Sequence, residues 1–299
     1  MATMTLQQQV EKIARGRGSR SQRLEDLVYM LGLPVQEALR ALDVYKPVRK
    51  ARTPIENFTF GVEIECYNVN QSLLIEKLTA KGINIRCEGY NHNDSEEYYK
   101  IVSDGSLIGN NACEVVSPIL KGQKGLESLE IVCDALNEIG ANVNRSCGLH
   151  IHFGAQSFDI KRWQNIYVNY SRLENIIDSF MPASRRANTN CFCRSIALQP
   201  RLETTILHCH SVDDIIRFFG SRYFKINAEA YNRHHTVEFR QHSGTVDFKK
   251  VSMWLSFLKK MLTYSKNNTV ENCTTIDDVP FLSKTEKDYF KQRINQLAA

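Results

Sequence analysis

The 299-residue sequence lacks the long apolar runs of membrane proteins, and no stretch approaches the ~20 residues that a membrane-spanning helix needs. Residues 1–9 also lack the hydrophobic core of a signal peptide. The nine cysteines are odd in number and include no CxxC pair, so a disulfide framework is not indicated. We therefore expect reduced cysteines that pack as small apolar side chains, and a cytoplasmic protein.

Nucleotide-binding turns of the familiar kinds are missing as well. No glycine-rich turn opens a helix after a predicted strand, which excludes both a P-loop and a Rossmann fingerprint. The sequence has no internal repeat and no low-complexity tract, so repeat architectures are excluded too.

Excess charge is absent from most of the chain. Residues 1–52 contain ten Lys/Arg and five Asp/Glu, and this difference of +5 equals the net charge of the whole chain. The remaining 28 basic and 28 acidic residues balance over 53–299. A broad nucleic-acid-binding face is therefore not expected on the larger part of the protein.

The basic N-terminal segment predicts a small helical unit. Apolar residues at helical spacing indicate two short helices around a turn at Gly32-Leu-Pro34, after a basic arm near residues 15–20. Residues 45–54 predict a linker, so we divide the chain into an arm and linker (1–55) and a main domain (56–299). The helical pair is typical of a hairpin that docks on its neighbour or on another subunit, which leaves a homo-oligomer open. A DNA-reading helix-turn-helix, with weak nucleic-acid contact through residues 1–52, is the alternative.

The most informative stretch is Cys147-Gly-Leu-His-Ile-His-Phe153. In an extended strand its apolar residues line one face, and His150 and His152 lie together on the other, about 6–7 Å apart. Two surface histidines would show the same pattern. Two further segments, however, show the same alternation with charged residues on one face, namely Gly61-Val-Glu-Ile-Glu65 and Thr236-Val-Glu-Phe-Arg240. Cys113-Glu-Val-Val-Ser-Pro118 predicts another strand, with a single glutamate among residues that favour strands.

The sequence between and after these strands shows helical periodicity. It predicts helices over 72–81, 125–140, 158–180, 212–219 and 251–264. The element order predicts an α+β fold: a curved, mostly antiparallel sheet with helices packed on one face and a small N-terminal helical segment.

The polar strand faces together predict a metal site. Glutamate oxygens with imidazole suit Mg²⁺ or Mn²⁺, and so many carboxylates fit two or more cations that bridge phosphate oxygens. The residues on these polar strand faces are Glu63, Glu65, Glu114, His150, His152, Glu238 and Arg240, with Asp104 as a further candidate.

Arginines supply the complementary charge. Arg240 shares the face of Glu238, and a guanidinium can hold a phosphate through two parallel hydrogen bonds. Arg185, Arg186 and Arg194 lie in an irregular segment that could close over a nucleotide, although surface ion pairs explain such arginines equally well. His208-Cys-His210 is more typical of a loop than of a metal site.

Taken together, the segments resemble the amidoligase family, within the carboxylate-amine ligases related to glutamine synthetase and glutamate-cysteine ligase. The similarity covers about residues 58–262. The matching segments, in family order, are Gly61-Val-Glu-Ile-Glu65, Ser103-Asp-Gly-Ser-Leu107, Glu114-Val-Val-Ser-Pro118, Cys147-Gly-Leu-His-Ile-His-Phe153, Arg222-Tyr-Phe-Lys-Ile-Asn227 and Thr236-Val-Glu-Phe-Arg-Gln-His-Ser-Gly-Thr245.

This resemblance implies a glutamine synthetase-like catalytic domain whose concave sheet face holds ATP and divalent cations. It implies phosphorylation of a carboxylate by ATP and amide formation with an amino acid, amine or peptide. Metal ligands implied by the resemblance are Glu63, Glu65, Glu114, His150 and Glu238. His152, Asn227 and Arg240 would approach the nucleotide, with Arg240 on the transferring phosphoryl group, and Arg185, Arg186 and Arg194 correspond only loosely to a family loop.

Two other functions stay open at this point. A phosphotransferase such as a guanidino kinase could use the same strand residues. Because family members often occur in phage-like settings, a non-catalytic DNA-binding or virion-associated protein is the third hypothesis, and residues 1–52 motivate it.

Overall fold

We analysed a computed structural model that describes residues 4–14, 24–44, 58–89 and 97–298. The chain divides into two compact units, residues 1–55 and residues 56–299. The predicted basic arm near residues 15–20 and the predicted linker at 45–54 lie outside the described residues. Within the described ranges, no helix has the length and apolar character needed to cross a membrane.

The N-terminal unit is a small helical assembly. It contains α1 (Leu6–Ala14), a π-helix (Asp26–Met30) and α2 (Val35–Val44). The predicted turn is present, and the positive φ of Gly32 (67°) favours a residue without a side chain there. Helical spacing brings apolar residues of all three segments into one buried cluster, Ala14, Leu27, Ala38 and Leu42.

One open, curved sheet of eight strands forms the centre of the large unit. The strands are β1 (Thr59–Cys66), β2 (Ile85–Gly89), β3 (Tyr99–Val102), β4 (Cys113–Val116), β5 (Leu120–Lys121), β6 (Gly148–Gly154), β7 (Ile226–Asn227) and β8 (Thr236–Ser243). Their order is β2-β3-β4-β1-β6-β8-β7, and β5 also pairs with β1. The β2–β3 pair is parallel and the other pairs are antiparallel, which confirms the predicted α+β class.

Eight α-helices accompany the sheet within the described part of this unit. They are α3 (Gln71–Ala80), α4 (Gly122–Glu138), α5 (Ile160–Ser179), α6 (Leu202–Leu207), α7 (Val212–Phe219), α8 (Ala230–His234), α9 (Phe248–Tyr264) and α10 (Lys284–Ala298). Periodicity predicted α3, α4, α5, α7 and α9 to within a few residues. It did not predict α6, α8, α10 or the strand β2.

Local capping explains where the long helices begin. The Asp159 side chain accepts a hydrogen bond from Arg162 N (2.8 Å) at the start of α5, and Asp247 caps α9 in the same way. Ser211 and Asp214 form a reciprocal capping box on α7. These side chains satisfy amide groups that a helix N-terminus leaves unpaired.

The hydrophobic core lies between the helices and one face of the sheet. Val62, Ile64, Leu149, Ile151 and Phe153 point to this face and are at most 1% exposed. Burial of each such side chain contributes roughly 1.5–3 kcal/mol relative to exposure. Strand alternation then leaves the glutamates and histidines of the same strands on the opposite face.

Most of the cysteines follow the expected pattern, and exposed Cys191 is one of the exceptions. All nine are free, and Cys66, Cys113, Cys133 and Cys147 are buried. Burial raises the pKa of the Cys133 thiol to about 12, so this thiol stays protonated. Cys87, by contrast, is exposed.

The C-terminal helix α10 completes the core. The Phe290 ring lies 4.5 Å from the Phe180 ring and 5.6 Å from the Phe257 ring, measured between centroids. One turn earlier, the Glu286 carboxylate accepts hydrogen bonds from Lys260 of α9 and from Ser256 (2.7 Å). The helix therefore covers aromatic side chains that α5 and α9 present.

Candidate active site

A cleft of about 1110 Å³ lies over the polar face of the sheet. Four strands, β1, β4, β6 and β8, supply its floor, and residues of α7 and α8 contribute to its wall. Seven of the residues predicted from the sequence line it: Glu63, Glu114, His150, His152, Asn227, Glu238 and Arg240. Asp104 lines it too, and Asp104 Oδ1 accepts a hydrogen bond from Ser106 N (2.7 Å).

Strand register brings these residues together. Glu63 of β1 lies opposite His150 of β6, and His152 of β6 lies opposite Glu238 of β8. Asn227 of β7 is paired with Glu238 in turn. Neighbouring strands are about 4.8 Å apart, so groups opposite each other on one face are within reach of a shared ion.

A β-bulge in β8 decides which side chains enter the cleft. Leu149 pairs with His242 and Ile151 pairs with Phe239, so β8 holds one residue more than β6 over this step. Arg240, two residues after Glu238, shares its face by ordinary strand alternation. His242 turns to the core instead, where its ring lies 5.8 Å from that of Trp254 and burial lowers its pKa to about 4.

Glu63, Glu114 and His150 form the first group that could hold a cation. Their ligand atoms lie within 4.8 Å of one another, and His150 Nδ1 is 2.9 Å from Glu63 Oε2. Burial and the neighbouring Glu63 raise the pKa of Glu114 well above its usual range. Burial also acts to raise the pKa of Glu63, but the charge of His152 and the hydrogen bond with His150 hold it well below its usual range. Without a cation, a proton in this group is therefore favoured on Glu114 rather than on Glu63.

Glu63, His152 and Glu238 form the second group. His152 Nε2 lies 3.2 Å from Glu63 Oε1 and 3.9 Å from Glu238 Oε1. The other ring nitrogen, Nδ1, is hydrogen-bonded with Thr236 Oγ1 (2.9 Å), whereas the buried Nε2 has no hydrogen-bond partner. A buried, unpartnered imidazole nitrogen aimed at two carboxylates fits a divalent cation, because a cation satisfies all three groups at once.

Arg240 is fixed beside the second group. Its Nη1 donates to Glu238 Oε1, its Nε donates to the Phe192 carbonyl oxygen (3.3 Å), and its guanidinium lies 5.9 Å from the Tyr223 ring centroid. Although burial opposes it, the charges of Glu238 and Glu63 raise the pKa of Arg240, so the guanidinium remains charged. A further carboxylate contact links Glu238 Oε2 to Asn227 Nδ2, at 2.6 Å.

Four predicted site residues are not brought into the cleft. Glu65 lies beneath it, where its Oε2 accepts from Gly148 N (2.5 Å) and its Oε1 is 3.5 Å from His150 Nε2. Arg185 is buried and donates to the Cys147 carbonyl oxygen (2.5 Å). The metal-binding role of Glu65 and the nucleotide-binding role of Arg185 stay predictions.

Arg186 and Arg194 also point to other partners. Arg186 Nε donates to the Met181 carbonyl oxygen (2.7 Å), and the Arg194 guanidinium stacks 4.2 Å from the Phe224 ring centroid. His208 and His210 belong to neither of the cation-binding groups found among the described residues. His210 instead donates its backbone N–H to Asp214 (2.8 Å), as a loop residue would.

Sequence reasoning missed two residues that shape the site. Thr236 orients His152, and its position two residues before Glu238 on the same strand face was a usable signal. Gly148 packs so closely that an added Cβ would lie 2.9 Å from His150 Nε2 and 3.3 Å from the Arg185 guanidinium. No local sequence pattern predicts this close packing of Gly148 against His150 and Arg185.

Comparison with protein families matches residues 56–262 to a model described as "putative amidoligase enzyme". The matched segment contains all eight strands and every residue of the two cation-binding groups. It ends inside α9, so α10 lies outside it. No curated protein matches the chain.

Proposed function

The chain belongs to the amidoligase family, and we propose on this premise that it is an ATP-dependent, ADP-forming carboxylate-amine ligase. The observation that carries the proposal is the pair of cation-binding groups that share Glu63, with the charged Arg240 beside them. Phosphoryl transfer depends mainly on positioning and charge neutralisation, and this cleft offers both.

We assign the cations, Mg²⁺ or Mn²⁺, to the two groups. Glu63, Glu114 and His150 would hold one, and Glu63, His152 and Glu238 would hold the other. Bound there, divalent cations would neutralise phosphate oxygens and favour departure of ADP. His152 would thus approach the nucleotide phosphates through a cation that it shares with Glu238.

The reaction has two steps. A substrate carboxylate oxygen attacks the γ-phosphorus of ATP, which releases ADP and leaves an acyl phosphate. An amine nitrogen then attacks the acyl carbon, phosphate leaves, and the amine nitrogen loses its proton. Arg240 would stabilise the transferring phosphoryl group, since its Nη2 has no hydrogen-bond partner among the described residues, and Asn227 holds Glu238 in place.

The size of the cleft supports two ligands. Pockets that hold a single drug-sized ligand have volumes of roughly 300–1,000 Å³, and this cleft exceeds them. We therefore propose an amino acid, amine or peptide as the second substrate beside ATP.

A screen of ADP release tests the proposal directly. Purified protein with ATP and Mg²⁺ is expected to release ADP when an amino-acid or peptide pool is added, and EDTA should stop the release. Mass spectrometry of the product should show an amide, whereas a stable phosphorylated product would indicate a phosphotransferase. Absence of ATP binding in calorimetry, with and without Mg²⁺, would refute the function altogether.

A further inference from the structure

An ionic cluster around a fully buried lysine lies away from the cation-binding groups. The Lys225 ammonium, with a side chain 0% exposed, is 2.9 Å from Glu174 Oε1 and 2.6 Å from Asp178 Oδ1, both on α5. Buried ion pairs are weak contributors to stability, since desolvation offsets much of the attraction and apolar replacements are often equally stable. Stability alone therefore does not explain why three charged groups meet here.

The two carboxylates of this cluster anchor both ends of the segment 187–197. Asp178 Oδ2 accepts a hydrogen bond from Ala187 N (2.7 Å). Glu174 Oε2 accepts from Ile196 N (3.0 Å) and Ala197 N (2.9 Å). Each carboxylate thus uses one oxygen for Lys225 and the other for the backbone of this segment.

The segment reaches the cleft at Arg240. Its Phe192 carbonyl oxygen accepts from Arg240 Nε (3.3 Å). Lys225 reaches the same residue through its own backbone, because its carbonyl oxygen accepts from Arg240 N (3.0 Å). Lys225 N in turn donates to the Arg194 carbonyl oxygen (2.9 Å), which joins the segment to the residue immediately before β7.

We propose that the cluster of Lys225, Glu174 and Asp178 is a positioning device for the Arg240 guanidinium. It fixes the acceptor of Arg240 Nε, while Glu238 fixes Nη1, so that the remaining N–H groups face the cleft in one orientation. The inference rests on the proposed function for the role of Arg240, but the positioning itself can be measured without turnover. Lys225 is in this view a positioning residue, since it touches neither the cleft nor a reacting atom.

Two variants test the cluster with little change in shape, one by removing a single charge and the other by removing all three. Glu174→Gln keeps an oxygen for the amides of Ile196 and Ala197, and Lys225→Met combined with Glu174→Gln and Asp178→Asn leaves no buried charge unpaired. The matched control is Lys260→Met with Glu286→Gln, which replaces both charged partners of an ion pair between α9 and α10 by neutral side chains. The control accounts for a general loss of stability.

The first readout is the ¹H–¹⁵N resonance of Arg240 Nε–H, assigned by its disappearance in Arg240→Lys. We expect it to shift or to exchange faster with solvent in both cluster variants and to stay unchanged in the control. The second readout is kcat, which should fall about 10- to 100-fold with a KM for ATP within about twofold, as misplacement of a group by about 1 Å would cause.

The outcomes separate the two proposals. An unchanged Arg240 Nε–H resonance in folded cluster variants would overturn the positioning role, whatever their stability. Equal loss of kcat in the cluster variants and in the control would overturn it as well. If no acceptor supports turnover in the wild-type protein, the proposed function fails, and the resonance still decides whether the cluster positions Arg240.

Discussion

Two carboxylate sites of the protein differ in how far the chain itself satisfies them. Glu286 of α10 accepts hydrogen bonds from Lys260 and Ser256 of α9, and from the backbone and hydroxyl of Ser283. These four donors match the roughly four acceptor positions of a carboxylate. In the cleft, Glu63, Glu114 and Glu238 meet two imidazoles and one guanidinium, and His152 Nε2 remains unpartnered.

The difference separates structural from functional carboxylates. A carboxylate that the protein satisfies fully contributes to the fold and has no capacity left for a ligand. Carboxylates that are held close together against their mutual repulsion reduce stability, and they persist where a ligand supplies the missing positive charge. The cleft is therefore expected to respond to cations, and the Glu286 site is not.

Glu63→Gln should produce the largest effect. Because Glu63 belongs to both cation-binding groups, we expect Mn²⁺ affinity to fall by at least about 100-fold, beyond the loss caused by changes to residues that only orient a ligand. Calorimetric titration with Mn²⁺ measures this. The free energy of unfolding of the cation-free protein should fall only slightly, because the glutamine loses the attraction to His152 and His150 but no longer places a negative charge beside Glu114. A marked fall would instead make Glu63 a structural residue, as Glu286 is.

Glu286→Gln should show the opposite behaviour. Lys260 loses its charged partner, so the free energy of unfolding in urea should decrease by about 1–3 kcal/mol. Mn²⁺ titration of the folded variant should match the wild-type protein. A weakened Mn²⁺ affinity would show that α10 and the cleft are coupled, so that Glu286 would not be a purely structural carboxylate.

Thr236→Val is expected to have a smaller effect, because Thr236 acts only through His152. Loss of the hydrogen bond at Nδ1 frees the imidazole ring to turn, which should weaken Mn²⁺ binding about tenfold. Thr236→Ser keeps the hydroxyl and serves as the matched control. Equal affinities of the valine and serine variants would argue against orientation by this hydroxyl.

The smallest effect is a pH dependence that originates at Glu114. Its pKa in the folded protein is raised by burial and by Glu63, so its protonation stabilises the cation-free fold at low pH. This contribution is complete below the unfolded pKa and is lost as the pH rises through the folded pKa. A cation must displace the same proton, so Mn²⁺ affinity should rise with pH across that window, by at most about tenfold per pH unit. Glu114→Gln should flatten this slope, and an unchanged slope would assign the proton to another group.

The sequence predicted which side chains share a strand face but not which strands are neighbours. Alternation with a period of two was sufficient to place Glu63, His150 and Glu238 on polar faces. Their convergence depends on β1 lying between β4 and β6, and this order is set by long-range packing that no local pattern contains. No local pattern predicted the bulge in β8 either, and because of this bulge the His242 side chain points to the core.

Arginines show the limit of local reasoning most clearly. Arg240 was predictable, because a strand fixes its direction relative to Glu238. Arg185 lies in a segment without a period, and its direction is determined by the Cys147 carbonyl oxygen, 38 residues earlier in the chain. Strand β2 escaped prediction for a related reason, since it buries one residue of five and shows little alternation.

Helix α10 has a practical consequence for anyone who divides this chain. The family match ends at residue 262, yet Phe290 of α10 covers the rings of Phe180 and Phe257. A fragment that ends at residue 262 would expose these two rings to water as an apolar patch, which favours aggregation. Such a fragment should aggregate during expression even though it keeps every residue of the cleft. Inactivity of such a preparation would result from the loss of α10 and would not test the proposed activity.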